Sequence, residues 1–244
     1  MSNAVEVNEI VLDFPKERGL LSGILSLFGW RKKNETRNYT AINCLSLDVH
    51  QGEVLGIIGR NGSGKSTLLR VMAGIYQPDE GSVKVRGRTS LLAGVRVGLN
   101  ENLTGRENVH LYGSILGHNK EVMDSMMGDI IEFSELGEFF EQPLRTYSSG
   151  MRARLGIAIA SAVEPEILLI DEVLGVGDPQ FREKSKQRIL SLVQSTSTVV
   201  LVSHSFGLMR EICDRVAFID EGKVMFVGDP TKSIRKYFEL TGKN

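Results

Sequence analysis

Apolar and polar positions alternate along the front of the chain in the manner of strands, and farther on they fall into helical and buried-strand patterns. Val5–Phe14 alternates, and Cys44–Val49 repeats the pattern before a Gln51-Gly52-Glu53 turn. Val54-Leu55-Gly56-Ile57-Ile58 differs: it is a short continuous apolar run, the mark of a strand buried on both faces. Ser82–Val85 reads as a further strand after the Pro78-Asp79-Glu80-Gly81 turn. From Thr104 to about Glu164 the period is helical, and Val122, Met126, Ile130 and Ile131 predict a stripe facing the core. Ile167–Ile170 and Thr198–Val202 are again buried-strand runs, each ending in polar residues. Val216–Asp220, Glu221-Gly222 and Lys223–Val227 predict a hairpin, and Ile234–Leu240 a last helix. No internal repeat or low-complexity linker interrupts this order. The pattern is that of an α/β protein with an antiparallel portion at its front.

The joint after the first buried run carries the chemistry. Gly59-Arg60-Asn61-Gly62-Ser63-Gly64-Lys65-Ser66, followed by Thr67, fits G-x-x-x-x-G-K-[ST] at every fixed position. A buried strand precedes it. Behind it, Ser66 to Ala73 reads as a helix, with Leu68, Leu69 and Met72 on one side and Gly74 as its stop. Strand, glycine-rich turn and helix N-terminus make a nest of backbone N–H groups at the positive end of a helix dipole. Gly59, Gly62 and Gly64 allow a bend that a Cβ would obstruct. Lys65 can reach the β- and γ-phosphates of a nucleoside triphosphate, and the Ser66 hydroxyl can ligate Mg²⁺.

Composition narrows the setting. A chain of 244 residues can bury a sizeable core as one large α/β domain. A net charge of −1 leaves no overall footprint for nucleic acid. Cys44 and Cys213 lie far apart without C-x-x-C spacing, which predicts reduced thiols in the cytosol. Glu6, Glu9 and Asp13 interrupt any signal-peptide core at the N-terminus. No apolar run reaches the roughly eighteen residues that span a bilayer, so membrane association is expected through a partner or a surface helix.

Two strand ends add candidates. Ile167–Ile170 runs into Asp171-Glu172, placing carboxylates at the sheet edge where open α/β folds bind ligands. Asp171 can organise Mg²⁺, and Glu172 can polarise a water for attack on the γ-phosphate. His204 follows Thr198–Ser203 in the same kind of position, although a lone histidine is more often structural.

Tyr147-Ser148-Ser149-Gly150-Met151 precedes a strong helical pattern, Arg152–Ala162, and offers a hydroxyl and glycine amides to an anion. With this stretch the chain resembles the nucleotide-binding domains of the ATP-binding-cassette family. The family signature Leu-Ser-Gly-Gly-Gln matches Tyr147–Met151 with departures at the first, third and fifth positions. The resemblance continues through Asp171-Glu172, through Gly175-Val176-Gly177-Asp178 as the loop after it, and to His204 as the switch histidine. It implies a phosphate-loop ATPase fold with an antiparallel β subdomain and an inserted helical subdomain. The expected bounds are 1–244 for the whole domain, 40–100 and 165–228 for the core, and about 104–164 for the helical part. It also implies a composite site, in which Ser148 and Gly150 of one copy cap the γ-phosphate held by the phosphate loop of a second. Glu172 takes the role of general base, His204 that of γ-phosphate contact, and Lys65 stabilises developing charge.

Two positions depart from the family. The usual glutamine after the first sheet has no counterpart in Leu91–Asn100, and its role is assigned to no residue. Tyr39 is the nearest candidate for the aromatic that stacks on adenine; ordinary strand packing is the other reading. Leu103–Val109, Ile130–Phe139 and Tyr147–Ala153 look like the ATPases that export surface polysaccharides, among them teichoic acid, O-antigen and capsule exporters. Ser90–Leu99 and Phe133–Phe139 look most like the teichoic acid exporter ATPase. The sequence ends soon after Ile234–Leu240, without an appended carbohydrate-binding domain, which leans the same way although short capsule-type members exist.

A further segment is unusual for a cassette domain. Leu20, Leu21, Ile24, Leu25 and Phe28 share one helical face within an insertion over about 19–37, near Trp30 and Arg31-Lys32-Lys33. Lys16 to Arg37 holds six basic and two acidic residues. That suits an interfacial helix beside anionic headgroups, or equally a helix folded onto the sheet. The resemblance as a whole implies an MgATP-hydrolysing subunit, peripheral at the cytoplasmic face of a bacterial membrane. Two copies would pair with two integral-membrane permease subunits, and the lipid-linked polymer would pass through the permease. The rivals are O-antigen or capsule export, a soluble cassette ATPase acting on ribosomes or DNA, and a non-enzymatic regulatory cassette. The second expects tandem cassettes or a long coiled coil; Glu172 and His204 argue against the third.

Overall fold

The computed structural model describes residues 2–15, 38–93, 99–115, 118–162, 165–171, 179–195 and 198–242. In chain order the elements are β1 (Asn3–Pro15), β2 (Asn38–His50), β3 (Val54–Gly59), α1 (Lys65–Met72), β4 (Glu80–Val85) and β5 (Thr89–Ala93). Next come α2 (Gly105–Ile115), α3 (Lys120–Ser134), two short 3-10 turns (Gly137–Glu141 and Leu144–Thr146) and α4 (Ser149–Ala162). The chain continues with β6 (Ile167–Asp171), α5 (Pro179–Ser195), β7 (Thr198–Val202), α6 (Phe206–Ile212), β8 (Arg215–Asp220), β9 (Lys223–Gly228) and α7 (Pro230–Thr241).

The strands form two sheets. An antiparallel sheet has the order β2-β1-β4, and a six-stranded sheet has the order β5-β6-β7-β3-β8-β9. In the latter all neighbours are parallel except β9, which returns antiparallel along β8 through the Glu221-Gly222 turn. Both central turn residues have positive φ, 46° and 73°, as a two-residue hairpin of right-handed twist requires. β2 and β4 fall inside the stretch 40–100 yet belong to the antiparallel sheet, because their partner along the ladder is β1.

The continuous apolar runs are explained by what lies on each side of the larger sheet. Leu55, Ile57, Ile167, Leu169, Val200, Val202, Ala217 and Ile219 face a cluster shared with α1 and the antiparallel sheet. Their alternates Ile58, Leu168, Ile170, Val199, Leu201, Val216 and Phe218 face a second cluster under α4, α5, α6 and α7. Neither face reaches water, so no polar alternation survives in the sequence. Removing a ring from this layer, as in Phe218→Ala, costs about 3–5 kcal/mol.

The helical part has its own core, from Val109 on α2 through Met123, Met127 and Ile130 on α3 to Leu155 and Ile159 on α4. α4 is apolar all round because Ile157 and Ala160 face the sheet while Leu155, Ala158 and Ile159 face the helical core. The expected α3 stripe is corrected by one position. Met123, Met127, Ile130 and Ser134 are the buried face, and Val122, Met126 and Ile131 lie at its half-buried edge. The Asn119 side chain, accepting from Val122 N, fixes the helix start, and the buried Ser134 is hidden from any apolar count. β5, α5 and α6 had no counterpart in the sequence reading. β5 spans only Thr89–Ala93, and the buried side of α5 is broken by Ser185 between Phe181 and Ile189.

Candidate functional site

β3 delivers the chain into the loop. The N–H of Ser63 donates to the Arg60 carbonyl at 3.2 Å, and the N–H of Leu68 donates to Gly64 at 2.8 Å, opening α1. A Cβ at Gly59 would strike the carbonyl oxygen of Ile219 on β8, and one at Gly64 would lie 2.5 Å from that of Ala41. Gly64 also sits at φ 100°. These glycines clear the protein's own backbone, so the loop is pressed against β2 and the β8–β9 hairpin. Gly222, in that hairpin, donates its N–H to Ser63 O at 3.1 Å and accepts from Asn43 N at 3.0 Å. The hairpin turn was legible in the sequence; its role as a brace for the loop is tertiary and was not.

Within the loop, Lys65 is buried and its Nζ donates to the carbonyls of Gly59 at 3.0 Å and Arg60 at 2.8 Å. The ammonium thus arches across the mouth of the loop. No side chain caps α1 and its first turn contains no acid, so the positive end of the helix keeps its field. Ser63 Oγ is buried without a hydrogen-bond partner. Arg60, Asn61 and Gly62 form the exposed crest, and Thr67 is half-buried on α1.

The loop and the end of β6 meet. Ser66 Oγ donates to Asp171 Oδ1 at 2.9 Å. Arg70, one helical turn on, donates from Nη1 to the Ser66 carbonyl at 3.1 Å, and its Nη2 stands 4.0 Å from Asp171 Oδ2. Arg70 escaped the sequence reading, although its i+4 spacing from Ser66 was a signal. A hydroxyl and a carboxylate converging at this distance are the hard oxygen donors that suit Mg²⁺, which takes one or two protein oxygens and fills its sphere with water and phosphate. The residues present therefore fit that ion.

β7 lies between β6 and β3, with Val202 opposite both Asp171 and Ile57. His204, two residues beyond, is exposed at that shared edge, where Ser203 Oγ accepts from Ser205 N. Tyr39 stands at the other side of the loop. The residue is 47% exposed and its hydroxyl donates to the Gly62 carbonyl at 3.0 Å. Tyr39 thus touches the phosphate loop as well as its own sheet. Glu172, the Gly175–Asp178 stretch, residues 94–98 of the glutamine-free segment and the 19–37 insertion lie outside the described residues.

Ser148 and Gly150 are placed apart from this group, at the start of α4. Ser148 is exposed and its Oγ accepts from Met151 N at 3.2 Å. The loop borders a hollow of about 350 Å³ lined by Glu135, Leu136, Phe139, Met151 and Arg154, and no phosphate-loop residue lines it. Tyr147, at the position of the family's leucine, fills the helical core and donates to Phe139 O at 2.6 Å. Burial first, and the Glu141 charge second, push its hydroxyl up to about 12, so it stays a donor. Among the described residues, no helix is long and apolar enough to cross a membrane.

Comparison with known proteins matches this arrangement. A family model described as "ABC transporter" covers residues 42–175. The chain is 42% identical to the O-antigen export system ATP-binding protein RfbB of Myxococcus xanthus over 97% of its length and 56% of the relative's. It is 43% identical to the teichoic acids export ATP-binding protein TagH of Enterococcus faecalis, over 84% of this chain and 46% of that one. The chain thus spans about half the length of these two relatives. RfbB of Klebsiella pneumoniae is 39% identical and is matched over 97% of this chain and 98% of its own. Among solved structures, the ATP-binding subunit of an ABC transporter superposes with a TM-score of 0.73 at 20% identity, covering 99% of this chain and 95% of that one. A dimeric ATP-binding cassette in a post-hydrolysis state with ADP and Pi gives 0.69 at 23% identity, covering 93% and 98%. On its phosphate loop, its paired sheets, the family model and relatives near 40% identity, the chain belongs to the ABC transporter family.

Proposed function

We propose that the chain is the ATP-hydrolysing subunit of an exporter that moves a lipid-linked cell-surface polymer, acting at the cytoplasmic face of the membrane. Two copies pair head to tail, each phosphate loop facing the other's Ser148–Gly150, and the pair drives two membrane-spanning permease subunits. The observation that carries the reading is the Ser66–Asp171 contact at 2.9 Å near the exposed Tyr39 and His204, while the hollow bordered by Ser148 and Gly150 is lined by no phosphate-loop residue. A triphosphate site assembled from one chain lacks a cap, and the exposed Ser148 loop is the matching half.

In this reading the loop amides and Lys65 hold the β- and γ-phosphates and take up charge as the terminal phosphoryl group transfers. Ser66 and Asp171 would hold Mg²⁺, which would supply positive charge against the phosphates. Glu172 accepts the proton of the attacking water, and His204 contacts the γ-phosphate. Tyr39 stacks on the adenine. ATP closes the pair, closure is transmitted to the permease, and hydrolysis resets it. Glu172→Gln should hold ATP without turning it over and so accumulate an ATP-dependent dimer on gel filtration; turnover at the wild-type rate would remove Glu172 from the role of base.

The relatives' names support export of a surface polymer, and identities of 42% and 43% do not rank O-antigen against teichoic acid. Teichoic acid is the specific cargo proposed, from the resemblance in Leu91–Asn108 and Ile130–Arg152. Depletion of the protein is then expected to strand a lipid-linked polyol-phosphate polymer inside the cell and leave the wall poor in phosphate. Normal wall phosphate with a stranded sugar polymer would move the cargo to O-antigen or capsule.

A further inference from the structure

Glu135 ends α3 in the left-handed region, at φ 53°. Glycine or asparagine is the usual residue there, and a longer side chain pays a backbone cost of about 1 kcal/mol. What the side chain does at that position is specific. One carboxylate oxygen, Oε2, accepts from Arg154 Nη1 at 2.9 Å, and the other, Oε1, accepts from Lys184 Nζ at 2.5 Å. Arg154 belongs to α4, two turns from Ser148, and borders the same hollow. Lys184 belongs to α5, the first described helix after Asp171. The carboxylate therefore ties the helical part, through both α3 and α4, to a helix of the sheet domain.

The ion pairs sit on an aromatic base. Lys184 Nζ also donates to the Phe133 carbonyl at 3.2 Å and stands 4.9 Å from the Phe133 ring centre. The Arg154 guanidinium lies 4.6 Å from the ring centre of Phe181 on α5, and Phe133 and Phe181 meet edge to face at 5.7 Å. Each cation is thus fixed both by the carboxylate and by a ring of the opposite part. An exposed ion pair alone is weak; here two share one anion and two rings, and the anion occupies a strained backbone position.

We propose that Glu135 is a positioning residue, a clasp that sets the angle between the Ser148–Gly150 loop on α4 and the sheet edge bearing Asp171, so that the composite site closes in register. It rests on the ATPase reading above. The arrangement of the chain is tested separately from turnover by spin labels at the exposed positions Asp129 and Lys236, in a background with Cys44→Ser and Cys213→Ala. Without nucleotide, Glu135→Gln should broaden the distance distribution between the helical part and α7; an unchanged distribution overturns the clasp whatever the turnover does.

The second arm uses the whole chain and ATP. Glu135→Gln should lower kcat by about three- to tenfold, the range that two half-exposed ion pairs supply, with KM for ATP within about twofold. Adding Lys184→Met should cost little more, because the partner is already lost. Glu135→Gly should lose the same turnover while its Tm holds or rises, since glycine suits the left-handed position. Raising salt should slow the wild type toward the variants and leave the variants unchanged. A broadened distribution with wild-type kcat would overturn the link to catalysis. Loss of both Tm and kcat in Glu135→Gly would reduce the residue to a structural cap.

Discussion

At the phosphate loop four polar groups are tied within the chain: Lys65 to two carbonyls, Ser66 to Asp171, Arg70 to Ser66, and Gly222 to Ser63. At the Ser148 loop the Ser148 hydroxyl merely caps its own helix, and the surface beside it is an open hollow. The first region is packed from both sides, against β2 and against the β8–β9 hairpin. The second is carried at the tip of a helix whose other turns are buried in two cores. The contrast teaches that rigidity and completeness were built into one half of the chemistry, while the other half was built to face outward. The phosphate loop opens only its crest, Arg60–Gly62, above a packed base, whereas Ser148 stands exposed beside an open hollow.

The largest effect should come from breaking the closed half. Lys65→Ala removes the buried ammonium and is expected to cut ATP turnover by about 10²–10³-fold, the range for losing one preorganised charge in a dry site. Turnover within tenfold of wild type would show that the arch across the loop is structural only. A smaller effect is expected at the edge of that half. Tyr39→Ala should weaken ATP binding by about 1–3 kcal/mol if the ring stacks on the base. Tyr39→Phe, which loses only the bond to Gly62, should stay near wild type. Calorimetry that finds the alanine variant unchanged returns Tyr39 to strand packing.

The smallest effect gauges how firmly the floor of the closed half is packed. Cys213 lies under β3, where a Cβ on Gly56 would be 3.0 Å from its Sγ. Burial first, and the Asp214 charge second, raise its thiol from 9.0 to about 12. A folded value above the unfolded one means that the stabilisation is full below about 9 and is lost as pH climbs from there toward 12. In native protein at pH 8 a thiol reagent should therefore label Cys44 quickly and Cys213 far more slowly; equal rates would mean that the sheet beneath the loop opens easily.

Much of the closed half was legible in the sequence because its determinants are local. A phosphate loop is one strand, one turn and one helix start, and the glycines, Lys65 and Ser66 sit within eight residues. The buried strands β3, β6 and β7 were legible because both their faces are covered. What the sequence could not carry was contact between distant segments. Arg70 acquires its place at Asp171 only when β6 arrives, and Gly222 braces the loop only when the hairpin folds back on it. The α3 stripe is displaced by one position at Val122 and Met126 because these and their neighbours Met123 and Met127 are all apolar, so spacing alone does not tell the buried face from its half-buried edge. Tyr147 shows the reverse case. Its departure from the family's leucine is accommodated by the same core, with the hydroxyl satisfied by Phe139.

The central claim is that Lys65 and Ser148 act in the same reaction from different copies of the chain, and mixing tests it directly. Lys65→Ala and Ser148→Arg should each be inactive alone, the first for want of charge in the loop, the second because a bulky cation blocks the partner's phosphate. A mixed dimer retains one site with a native loop facing a native Ser148. With random pairing and independent sites, an equal mixture should recover about a quarter of wild-type ATP turnover per chain. Mixtures that stay as inactive as the separate variants, although mixed dimers form, would place both residues in one site of one chain and contradict the account.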